Sequence, residues 1–78
     1  MVYEVLDLRG IPCPEPLIRV VRVIDTLSIG CSLRVLLDNM DCVKLIKEAV
    51  EGFELGSVET IPEGNSFILI IKVGDRET

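Results

Sequence analysis

The run Ile11-Pro12-Cys13-Pro14-Glu15-Pro16 is where residue type and spacing point most directly to chemistry. Cysteine reacts as the thiolate, and a helix N-terminus favours that form. Proline fixes φ and lacks an N–H. The backbone on both sides of Cys13 is therefore stiff. Pro14 suits the first position of a helix, where its missing N–H would be unpaired anyway. This spacing predicts Cys13 at the helix N-cap. A rigid loop-to-helix corner can present its sulfur to a partner's cysteine at low entropic cost. The expected activation is modest. Pro14 and Pro16 remove two first-turn donors, and a nearby Glu15 carboxylate opposes a thiolate. Arg9 and Arg19 are the residues that can offset it. The competing reading makes Cys13 a small buried hydrophobe, as free cysteines often are. Flanking prolines on a loop weigh against that reading.

The chain has three cysteines and no histidine. An odd count without paired spacing is not a disulfide framework. Reduced thiols in a reducing compartment fit better, and the chain reads as cytoplasmic. Without histidine there is no Cys-His dyad, and three cysteines 18 and 11 residues apart make a weak case for zinc. No metal or separate cofactor is expected. Cys42 falls in the first turn of a second helix. It is a candidate secondary or resolving thiol, but it also lies on that helix's apolar stripe, which makes core packing the plainer reading. Cys31 opens a strand and has no assigned role. Asp38, Asn39 and Asp41 crowd the second helix start, as ordinary capping residues do.

The elements that must position these residues are legible in the apolar periods. Val2 to Leu8 reads as a strand ending at Arg9-Gly10. Pro14 to Leu27 carries apolar residues at Leu17, Val20, Val21, Ile24 and Leu27, one face of a helix, with Gly30 as its C-terminal stop. Cys31 to Leu37 alternates as a second strand. Asn39 can cap a helix from Met40 to about Glu51, with a stripe of Cys42, Leu45, Ile46, Ala49 and Phe53. Phe53 to Ile61 is a more polar strand, and Pro62-Glu63-Gly64-Asn65 a turn. Phe67 to Val73 is apolar at both parities and should be central.

The order β-α-β-α-β-β predicts an α/β two-layer sandwich. Its sheet is four-stranded and mixed, with both helices on one face. The first two strands are parallel through a right-handed crossover. Both helix starts, and with them Cys13 and Cys42, should then share one edge of the sheet, with Cys13 solvent-accessible and closer to Cys42 than to Cys31. Val2, Leu6, Leu8, Leu33, Val35 and Leu37 are assigned to the helix side. Val5, Asp7, Ser32, Arg34 and Leu36 should face away. One apolar set of the last strand, Phe67/Leu69/Ile71/Val73 or Ile68/Ile70, must join them, which makes the open face a candidate surface for a partner or a homodimer.

At 78 residues, the chain reads as one domain spanning 1–78. So small a domain buries only about two-thirds of its unfolded surface, leaving little core to spare for an enclosed active-site cavity. The net charge is −5, with the eight basic residues scattered. Direct nucleic-acid binding is not expected. The longest apolar run, Phe67 to Ile71, is far too short to span a bilayer, and no membrane association is expected.

Leu6-Asp7-Leu8-Arg9-Gly10-Ile11-Pro12-Cys13-Pro14-Glu15-Pro16, the stretch ending in Asp38-Asn39 and the two closing strands resemble the TusA/SirA/YedF-type family of small sulfur-transfer proteins. The Cys-Pro-x-Pro signature after a strand and glycine is the specific part. Gly10, Pro12, Pro14, Glu15 and Pro16 are its supporting residues. Met40 departs from the proline that many relatives carry there. The resemblance implies that Cys13 carries a persulfide, received from a cysteine desulfurase or a rhodanese-like donor and passed to an acceptor protein. It implies service in tRNA thiolation, cofactor assembly or sulfur oxidation, with no cofactor beyond the covalent sulfur. Two other functions compete: a non-catalytic binding or regulatory module, and a thiol redox protein using Cys13 and Cys42.

Overall fold

The computed structural model describes residues 3–74. Val2, assigned above to the helix side of the sheet, lies outside them. The elements run β1 (Tyr3–Asp7), α1 (Glu15–Thr26), β2 (Ser32–Leu37), α2 (Met40–Gly52), β3 (Gly56–Glu63) and β4 (Ser66–Val73). They form one four-stranded sheet of order β1-β2-β4-β3. β1 and β2 are parallel; β2–β4 and β3–β4 are antiparallel. The mixed two-layer architecture is the one expected, with β4 in the interior of the sheet.

Burial follows the expected parity. Leu33, Val35 and Leu37 on β2 and Leu69 and Ile71 on β4 are closed to solvent, and Leu8 is nearly so. They meet Val20 and Ile24 from α1 and Cys42, Val43, Ile46 and Val50 from α2. On the opposite face the register aligns Leu36, Ile68 and Ile61 in one row, and Val5, Arg34, Ile70 and Glu59 in the next. Val5 and Ile61 are exposed there.

The α1 stripe holds except at Val21, and the α2 stripe is rotated from the expected one. On α1, Pro16, Val20 and Ile24 are buried, Leu17 and Leu27 pack partly, and Val21 faces solvent. On α2, Val43 and Val50 replace Leu45 and Phe53, which are 41% and 76% exposed. Phe53 is displaced by the way α2 ends. Leu55 N–H donates to the Val50 carbonyl and Glu54 N–H to that of Glu51, with Glu54 at φ 57. This double closure ends the helix through a left-handed residue. It takes residues 53–55 out of the expected strand and turns Phe53 outward. β3 therefore starts at Gly56 and continues through Pro62 and Glu63, which had been assigned to the turn. β3 is an edge strand, where proline costs no ladder bond. The hairpin narrows to Gly64-Asn65, with Gly64 at φ 59 supplying the positive φ that a two-residue loop needs. Gly30 does not end α1. Leu27 caps it, and Gly30, at φ 98, turns the chain into β2.

The two readings of α2 differ measurably. We predict that Ile46→Ala, in a closed core, costs about 2–5 kcal/mol in urea unfolding. Phe53→Ala should cost under about 1 kcal/mol, because little surface leaves water there. Equal losses at the two positions would restore the original stripe.

Candidate functional site

Parallel pairing of β1 with β2 brings their C-terminal ends to one edge, where each chain turns into a helix. Two loops thus lie side by side. The first runs from Leu8 to Pro14, the second through Asp38 and Asn39. One bond ties them: Gly10 N–H donates to Asp38 Oδ2 at 2.9 Å. Gly10 sits at φ 81, a conformation that glycine adopts without penalty. The expected reading of Asp38 as a capping residue misses this role. The cap belongs to Asn39, whose Oδ1 accepts from Asp41 N–H at 2.8 Å and Cys42 N–H at 3.4 Å.

Cys13 is not the N-cap of α1. Pro14 holds that place, its carbonyl taking Ile18 N–H at 3.2 Å. Cys13 lies one residue earlier, in a turn closed by Glu15 N–H to the Pro12 carbonyl at 3.1 Å, with a cis Cys13–Pro14 peptide. The Glu15 donor is thus spent within the turn, and Pro16 has none. Little of the helix's N-terminal field is left to act on Cys13. The nearby charges are likewise paired off. Arg19 Nε meets Glu15 Oε2 at 3.0 Å. Arg9 grips Asp7 through Nε at 2.8 Å and Nη2 at 2.7 Å. That grip, reinforced by the Arg9 backbone N–H, pulls the Asp7 carboxyl from its ordinary 3.8 down to about 2. In return Asp7 raises the Arg9 guanidinium further.

Cys13 is half-buried, its inner side packed on the core, while Pro12 and Pro14 are exposed beside it. Cys42, at the third position of α2, is closed to solvent. Their sulfurs are joined, with the Cα atoms 5.8 Å apart, inside the roughly 4.4–6.8 Å that such a bond requires. The two helix-start cysteines therefore meet, as the topology implies. Core packing and proximity to Cys13 are not alternatives for Cys42; it has both. Cys31 is buried as a free thiol at the other edge, where its carbonyl accepts Val73 N–H at 2.9 Å. A shallow groove of about 470 Å³ lined by Ile29, Gly30, Glu51, Glu54, Lys72 and Gly74 also lies at that far end, away from Cys13. Among the described residues, no helix is long and apolar enough to cross a membrane.

Residues 4–73 match the family model for sulfurtransferase TusA. The chain belongs to the TusA family. A relative from Archaeoglobus fulgidus is 38% identical over 71 residues, covering 88% of this chain and 81% of its own length, and is described as "Putative sulfur carrier protein". The crystal structure of a SirA-like protein from Desulfitobacterium hafniense superposes with a TM-score of 0.82, covering 92% of this chain and 99% of that one. At 24% identity it speaks for the fold alone. Family membership places the chain among sulfur carriers, which act between donor and acceptor proteins.

Two measurements check this geometry. The Cys13–Cys42 bond spans 29 residues. On chain-entropy grounds we predict that reducing it lowers stability by roughly 3–4 kcal/mol. Cys42→Ala should show no further loss on adding reductant. Asp7 has a depressed pKa, so its pair with Arg9 contributes above about pH 4 and is lost as pH falls through about 2. In an NMR titration Asp7 should titrate near 2, and in Arg9→Gln near 3.8. Identical curves would mean the pair does not hold in solution.

Proposed function

We propose that this protein carries a sulfane sulfur as a persulfide on Cys13. The observation that carries the reading is the Pro12-Cys13-Pro14 corner. It holds half-buried Cys13 at the edge of the sheet, in a chain that belongs to a sulfur-carrier family. The reaction is thiol exchange. The Cys13 thiolate attacks the terminal sulfur of a donor's persulfide, the donor's cysteine leaves as thiolate, and Cys13 gains one sulfur. An acceptor thiolate then takes that sulfur in the same way. A carrier needs no enclosed cavity and no strongly activated nucleophile. Its sulfur must be reachable and its loop steady, and the Gly10–Asp38 bond and the flanking prolines supply the steadiness.

The donor class that fits is a protein presenting its own cysteine persulfide, such as a cysteine desulfurase or a rhodanese-like protein. The acceptor belongs to an intracellular sulfur relay of the kind that serves tRNA thiolation, cofactor assembly or sulfur oxidation. The carrier form is the reduced one, because a Cys13 bonded to Cys42 has no thiolate to offer. A reducing cytoplasm suits it.

The test is mass spectrometry of the reduced chain after incubation with a cysteine desulfurase and cysteine. We predict one added sulfur, mapped to Cys13, in samples alkylated immediately after loading. Cys13→Ser should load nothing, and Cys31→Ser should load as the wild type does. Loading of Cys13→Ser at the wild-type rate would sink the reading.

A further inference from the structure

We infer that Cys42 is a resolving thiol for the Cys13 persulfide, giving the carrier a second outcome: discharge of its cargo as sulfide. The inference rests on the persulfide reading above and extends it to a residue which that reading does not use. It is carried by the placement of the two sulfurs. They come within bonding contact across backbones 5.8 Å apart, so no rearrangement of the fold is needed for one to attack the other. They also differ in access. Cys42 is wholly buried, whereas Cys13 is open on one side. Cys42 is therefore out of reach of a partner's cysteine and within reach of Cys13. Cys42 lies on the core side of Cys13, and a sulfane sulfur turned to the open side would leave the inner sulfur facing Cys42. Attack and departure are then opposed, as sulfur exchange requires.

Cys42 also holds the better-formed helix start. Asn39 caps α2, and no proline occupies its first turn. That cap spends the Asp41 and Cys42 N–H groups on Asn39 Oδ1, so Cys42 acts through its fixed proximity to Cys13.

The step balances without an outside oxidant. The Cys42 thiolate attacks the inner sulfur of the Cys13 persulfide. The Cys13–sulfane bond breaks, and its electron pair leaves with the outer sulfur as hydrosulfide. The Cys42 proton, released to solvent, is equivalent to the one that converts hydrosulfide to hydrogen sulfide. The sulfane sulfur is reduced, and the two cysteine sulfurs are oxidised to the Cys13–Cys42 disulfide. A dithiol reductant then restores both thiols by exchange, becoming a disulfide itself. An acceptor protein that docks promptly takes the sulfur first. A carrier left loaded without an acceptor empties itself and waits oxidised.

The experiment uses the full chain, reduced and kept anaerobic, loaded briefly with inorganic tetrasulfide and desalted. Released sulfide and intact mass are followed in wild type, Cys42→Ala and Cys42→Val. The wild type should release one sulfide per loaded chain and end two hydrogens lighter than the dithiol, with the bond mapped to Cys13 and Cys42. An unloaded control should stay a dithiol. The variants should stay one sulfur heavier and release sulfide at least about tenfold more slowly, since a neighbouring thiol acts at high effective concentration. Mapping the wild-type product decides the matter even if a variant folds poorly. A wild type that holds its persulfide as long as the variants do overturns the inference and leaves the carrier reading standing. Failure of every chain to load on Cys13 overturns both.

Discussion

Parallel pairing of β1 with β2, running from Tyr3↔Ser32 to Asp7↔Leu36, is the constraint on which the site depends. Antiparallel neighbours could be joined by a tight turn. Parallel ones need a crossover, and here α1 supplies it. The same geometry sends both strands off the sheet at one edge and starts both helices there. A residue just before α1 and another in the first turn of α2 must then be neighbours. Interior hydrophobic packing holds the arrangement: Val20 and Ile24 of α1 and Ile46 and Val50 of α2 close over Leu33, Val35, Leu69 and Ile71. The site rests on an apolar core.

How much of this was legible follows from which signals are local. Strand parity survives translation into structure because its period is two and one face is dry. Leu33, Val35 and Leu37 could hardly point anywhere else. Helix stripes are less secure. In α2, Leu45 and Val43 are both apolar, and sequence alone does not say which edge of the stripe turns inward. Phe53 leaves the stripe through the left-handed Glu54, which sequence reasoning passes over because glycine is the usual occupant and Gly52 stands two residues away. The start of α1 was displaced for a similar reason. Pro14 suits a first helical position by propensity, yet the turn from Pro12 to Glu15 claims Cys13 and shifts the cap by one residue. The Gly10–Asp38 bond, spanning 28 residues of sequence, carries no local signal at all.

The displaced cap alters the chemistry expected of Cys13. A cysteine at a well-formed N-cap would borrow the helix field and become a strong nucleophile. One residue earlier, with the Glu15 donor already spent and Pro16 offering none, it gains far less. Charge does not make up the difference, since Arg9 is held by Asp7 and Arg19 by Glu15. The site therefore depends on presentation more than on activation. That suits the proposed exchange with another protein's cysteine, already positioned by docking. Strong intrinsic reactivity would be a liability there, because a low-pKa exposed thiolate is also the form most readily oxidised.

Size explains why the second thiol lies where it does. A chain of 78 residues cannot enclose a reactive group behind a lid, so any group that must be hidden from solvent has to sit in the core itself. Cysteine is among the few side chains able to do this at little cost, since it packs as a small hydrophobe yet retains a thiol. At the third position of α2, Cys42 fills the core and faces Cys13 at once, and neither demand compromises the other. Buried serine or histidine there would need a hydrogen-bond partner, and among the described residues the core contains no buried polar side chain to provide one. The constraint that keeps the interior apolar is thus the same one that makes a thiol the chemistry available behind Cys13.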